Sequence, residues 1–83
     1  MELREWKLLK SELTGHVHCS GYVHASSEHG EGDKILTSPV KTISREDDVV
    51  LIRTANSVYR CPLKENRTEN GKLFQEFGVD IAN

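Results

Sequence analysis

The chain reads as a small, mainly β domain, and three observations carry that reading. β-branched and apolar runs at Lys34–Ile43, Val49–Thr54 and Ser57–Cys61 are separated by short polar breaks, the pattern of a strand meander. Leu13 to Ser20 alternates apolar and polar residues at period two. At 83 residues the chain can bury about 60% of its unfolded surface, enough for one compact core and not for a deep enclosed site. The expected architecture is a small antiparallel β-barrel or twisted meander sheet of SH3-like size, with short helical or irregular termini. One domain spans 1–83, divided into an N-terminal turn or helix (1–12), a β meander (13–63) and a C-terminal arm (64–83).

Glu2 to Leu13 is ambiguous: Trp6 and Leu8 alternate as in a short strand, while Leu3, Trp6, Leu9 and Leu13 fall near helical spacing, and the reading favoured is a short helix or turn ending before Gly15. Leu13, Gly15, Val17 and Cys19 then share one face of a strand, and Thr14, His16, His18 and Ser20 the other. Gly15 marks a bend or bulge, and Tyr22–His24 continue the strand past Gly21. Ala25–Asp33 is the longest polar loop, with Gly30 and Gly32 giving it a tight path.

Lys34–Ile43 forms the next strand, interrupted at Pro39, which has no N–H to give to a ladder. Glu46-Asp47-Asp48 is a solvated hairpin tip. Val49–Thr54, almost wholly apolar and β-branched, has the composition of a central strand. Ala55-Asn56 is a tight break before Ser57–Cys61, and Pro62 ends that strand. Lys64–Asn70 is loop. Leu73, Phe74 and Phe77 suit a last helical turn packed on the sheet, or an arm docked on a neighbouring subunit.

Charge and composition narrow the function. Eleven basic residues against thirteen acidic give a net charge of −2, so no strong field draws nucleic acid or an anionic membrane. No apolar run approaches the roughly 20 residues of a membrane span, and the start lacks a secretory layout; a cytoplasmic location is expected. The two cysteines, Cys19 and Cys61, are too few for a disulfide framework and are expected as packed free thiols. A chain this short gains buried area by self-association, so a homo-oligomer is expected.

Nucleophile elbow, phosphate loop and dinucleotide fingerprint are all missing, and Gly30-Glu-Gly32 is too short and acidic to cradle phosphate. The expectation is a binding protein without chemistry of its own and without a cofactor. His16 and His18 project to one side of a strand and suit a zinc ion, but Cys19 points to the opposite face and no second ligand pair has metal spacing. Tyr59 with Arg53 and Arg60 is the nearest approach to the basic–aromatic interleaving that binds nucleic acid, and it is sparse.

The favoured constellation is Thr37, Ser38, Arg53, Ser57, Tyr59 and Arg60 on adjacent strands, with His24 at the edge of a loop, His24–Gly32, acting as a lid. Hydroxyls and guanidinium groups at neighbouring strand ends bind a small anionic, nucleotide-like ligand by charge-assisted hydrogen bonds.

The order Trp6, Leu13-Thr-Gly-His-Val17, Ile35-Leu-Thr-Ser-Pro-Val40, Val50-Leu-Ile-Arg-Thr54 and Asn56-Ser-Val-Tyr-Arg60 resembles a group of short phage and bacterial β proteins. That group carries a Gly-x-x-Ile-x-Thr-Ser-Pro and Ser-x-Tyr-Arg pattern, and the likeness covers most of residues 6 to 61. The chain departs from it at Ala55-Asn56, where Ser-Gly is common, and at Cys61, where leucine is usual. The resemblance implies a compact β fold and a phage or prophage setting, and brings no catalytic residues. In such a setting the expected role is an accessory protein that sequesters a nucleotide-derived defence signal. The alternatives are an inhibitory module covering a host effector or nuclease, and a small zinc-binding domain.

Overall fold

A computed structural model describes residues 1–24 and 32–81. Among these residues six strands form one mixed sheet: β1 (Glu2–Lys10), β2 (Val17–His24), β3 (Lys34–Leu36), β4 (Val40–Glu46), β5 (Val49–Thr54) and β6 (Val58–Pro62), in the order β3-β2-β1-β6-β5-β4. The strands pair antiparallel except β1 and β6, which run parallel where Glu2 meets Arg60. Of the barrel and the twisted meander, the sheet is the second: its two edges, β3 and β4, are not hydrogen-bonded neighbours.

The sheet is nevertheless strongly curled, and the chain connectivity requires it. Laid flat, the two edges would stand about 24 Å apart at about 4.8 Å per strand. The link from Leu36 to Val40 can reach at most about 14 Å at roughly 3.5 Å per residue. The sheet therefore rolls until β2 approaches β4. Thr37 fixes the corner: its N–H donates to Cys19 O (2.8 Å), and its Oγ1 accepts from Cys19 N (3.0 Å) and donates to Ser38 O (2.7 Å).

The N-terminal segment is a strand, where helical spacing predicted a helix or turn. The cause is a bulge. Arg4 pairs with Tyr22 and Lys7 with Ser20, so Glu5 and Trp6 together oppose Gly21. One extra residue on a strand brings positions i and i+3 to the same face, and Leu3 and Trp6 both turn inward. Glu5 takes a left-handed φ of 46°, and its N–H donates to Glu65 Oε1 at 3.1 Å. Leu8 resumes the inward alternation. Leu13, the last member of the helix-like series, is 98% exposed in the turn before β2.

The roll encloses a core of Leu3, Trp6, Leu8, Val17, Cys19, Val23, Val40, Ile43, Val50, Ile52, Tyr59 and Cys61. A short helix, α1 (Lys72–Gln75), closes it with Leu73 and Phe74, so the C-terminal segment packs on its own sheet. Phe74 meets Trp6 edge to face, with centroids 6.0 Å apart, and the indole N–H donates to Pro62 O at 2.7 Å. Cys19 and Cys61 are free and buried. A hydrogen bond with Cys19, together with burial, pushes the Cys61 thiol well above the ordinary thiol range. Among the described residues, no helix is long and apolar enough to cross a membrane.

Candidate functional site

The strand registers decide which of the sequence-nominated residues can act together. On β5, Val50 and Ile52 face inward; on β6, their partners Cys61 and Tyr59 do the same. Tyr59 is only 8% exposed and belongs to the core, as a residue directly opposite Ile52 must. Arg53 and Arg60 alternate to the outer face. The expected Arg53–Tyr59–Arg60 grouping is therefore split across the sheet, a consequence of the period-two rule.

The hydroxyls serve the corners of the fold. Thr37 is 4% exposed and its polar groups are spent on Cys19, Ser38 and His18, whose Nδ1 lies 2.9 Å from Thr37 O. Ser38 Oγ accepts from Asn56 Nδ2 at 3.3 Å. Ser57 closes the β5–β6 hairpin, accepting from Thr54 N at 2.9 Å and donating its N–H to Thr54 Oγ1 at 3.2 Å. These three residues knit two turns together. Of the lid expected at His24–Gly32, residues 25–31 lie outside the described residues.

The outer face brings other residues together. Residues directly opposite on paired strands share a face, so the registers define rows across the sheet. One runs Ser44, Leu51, Arg60, Glu2, His24. The next runs Arg4, Tyr22, Lys34. Arg53 lies diagonally from Arg60 by way of Val58. Arg4 Nε donates to Glu2 Oε2 at 2.8 Å, and His24 Nε2 lies 3.9 Å from the same oxygen. Among the described residues of these two rows, Glu2 is the single carboxylate. Arg53 and Arg60 make no ion pair with any described residue. A shallow cleft of about 570 Å³ at the end of this face lies between Arg4, Glu2, Asp48 and Lys64, where the charges balance.

The structure places Arg53, Arg60 and His24 on exposed or half-exposed strand positions, and beside them Arg4, Tyr22 and Lys34, which sequence reasoning did not nominate. A signal for Tyr22 existed. The alternation that put His18 and Ser20 on one face continues through Tyr22 to His24. Arg4 was hidden by the helical reading of residues 1–12. His16 is exposed in the turn before β2 and His18 is held by Thr37; no group of three or more His, Cys, Asp or Glu side chains among the described residues could hold a metal ion.

No family model matches this chain, and neither a curated protein nor a solved structure does.

Proposed function

We propose that the chain is a non-enzymatic binding protein for a small anionic, nucleotide-like ligand, taken up on the outer face of the curled sheet. The observation that carries this reading is the gathering of Arg53, Arg60, Arg4 and Lys34 with His24 on one face, against one carboxylate in the two central rows. Guanidinium groups bind phosphate by charge-assisted, often bidentate hydrogen bonds. Rigid strands hold such groups in fixed relation better than loops do. In the phage or prophage setting that the sequence pattern suggests, a binder of this kind would act by sequestering a nucleotide-derived signal.

A thermal-shift panel of nucleoside mono- and diphosphates and cyclic nucleotides tests this reading. A stabilising ligand should raise the melting midpoint in proportion to ln(1 + [L]/Kd). Arg60→Ala, an exposed outer-face change, should remove the shift while leaving the unliganded midpoint in place. A flat response across the panel sinks the reading.

The runner-up is an inhibitory protein–protein module. It is favoured by β4, a seven-residue edge strand whose outer side has no partner strand among the described residues. A stable host partner in a pull-down, with no nucleotide response, would select it.

A further inference from the structure

The basic–aromatic interleaving sought at Tyr59 exists at another tyrosine. Tyr22 is the one exposed aromatic among the described residues, at 38%. It stands in the middle of three adjacent strands, opposite Arg4 on β1 and Lys34 on β3. The Lys34 ammonium already lies over its ring, 5.7 Å from the centroid. One step along the same face, Ser20 stands between Lys7 and Leu36, and Leu36 is 61% exposed. Lys34 and Arg4 thus flank the ring on the two neighbouring strands, with Lys7 and the apolar Leu36 one row away. The nearest carboxylate in the neighbouring row, Glu2, is engaged by Arg4 through Nε, and a guanidinium has further donors.

We infer that the Lys34–Tyr22–Arg4 row is a stacking platform for one nucleobase, whose phosphate is held by the flanking cations. This deepens the nucleotide-binding reading above and rests on it. Stacking on an aromatic is tolerant of base identity because every base has a π face, and cations beside the ring supply the phosphate contact. The occupant is a mononucleotide, not a strand of nucleic acid. A strand needs successive rings on which to stack successive bases, and this face offers one. The net charge of −2 also gives no long-range attraction for a polyanion.

The cations explain why a nucleotide should be preferred over a neutral nucleoside, and the ring why it should be preferred over bare phosphate. Neither Tyr22 nor Lys34 is required by the fold. Tyr22 faces away from the core formed by its neighbour Val23, and Lys34 is exposed at the end of an edge strand.

Calorimetric titration of the full chain with adenosine 5′-diphosphate and with inorganic pyrophosphate tests the platform. The diphosphate nucleoside should bind more tightly than pyrophosphate. Tyr22→Ala should weaken the nucleotide by about 5- to 150-fold, the range for losing one stacked base, and leave pyrophosphate unchanged. Tyr22→Phe should retain nucleotide binding. Lys34→Gln, at an exposed site, gives a second loss that does not depend on how Tyr22→Ala folds.

If Tyr22→Ala binds the nucleotide like wild type, or if nucleotide and pyrophosphate bind equally, the platform is wrong while anion binding stands. If the wild-type chain binds neither, both readings fall. Binding to oligothymidylate that tightens with length, in a chain that ignores the mononucleotide, also overturns the inference.

Discussion

Gly21→Ala isolates the close approach at the bulge that turns Leu3 and Trp6 inward. A Cβ built at Gly21 meets Leu3 Cβ and Trp6 Cβ at 3.1 Å each and Arg4 O at 3.3 Å. These contacts are tighter than ordinary van der Waals separation, so the neighbours must yield by a few tenths of an ångström. They have little room to do so. Leu3 and Trp6 are fully buried, the Trp6 indole is tied to Pro62 O, and Arg4 O belongs to the bulged strand. Overpacking of this kind costs about 1–3 kcal/mol. Restricting the unfolded chain by replacing glycine returns about 0.4–1 kcal/mol. The balance is a destabilisation of about 1.3 kcal/mol at mid-range and about 2.6 kcal/mol at most. At about 4–8 °C per kcal/mol for a domain of this size, the mid-range value lowers the melting midpoint by roughly 5–10 °C. Thermal denaturation followed by circular dichroism, wild type beside variant, reads this directly. A variant as stable as wild type, or more stable, would refute the close-approach argument and with it the role assigned to the bulge.

Two further outcomes follow from the interior. Thr37→Val removes the acceptor for the buried Cys19 N–H and should cost about 1–3 kcal/mol in urea denaturation; an unchanged midpoint would mean that the corner is held by other contacts. The raised thiol pKa of Cys61 means the folded state favours the neutral form, so its contribution is full below the unfolded thiol value of about 8.5 and is lost as pH climbs above it. Stability should therefore decline on the alkaline side, and native Cys61 should resist alkylation at pH 8 until the chain is unfolded; rapid native labelling would contradict the burial.

Much of the architecture was legible in the chain because period-two patterning is a local signal. The strand at Val49–Thr54, the break at Pro39 and the hairpin at Ala55-Asn56 are all written in short stretches of residue type, whereas the alternation over Leu13–Ser20 begins four residues before β2, which starts at Val17. β1 was not, because a bulge mimics helical spacing: Leu3 to Trp6 is a three-residue step that a strand makes only when one residue is inserted. The parallel β1–β6 contact is likewise invisible locally, since it joins residues about as far apart in the chain as β1 and Arg60.

The site followed the same division. Arg53, Arg60 and His24 were recoverable from alternation within their own strands. Tyr59 was grouped with the arginines because it stands next to Arg60 in sequence, whereas its neighbour in space is Ile52. Arg4, Tyr22 and Lys34 come together only through the register of three strands, which no single segment encodes. Thr37, Ser38 and Ser57 show the complementary error: hydroxyls that resemble ligand groups in a string of letters are the turn-formers that let the sheet roll.

The central claim is that the outer face of the sheet binds a nucleotide. Backbone amide NMR titration with adenosine 5′-diphosphate tests it most directly. The account predicts saturable shifts at Glu2, Arg4, Tyr22, His24, Lys34 and Arg60, with the amides of Thr37, Ser38 and Ser57 unmoved. Shifts confined to the Thr37–Ser38 corner and the Ser57 hairpin, or none at all, would contradict it.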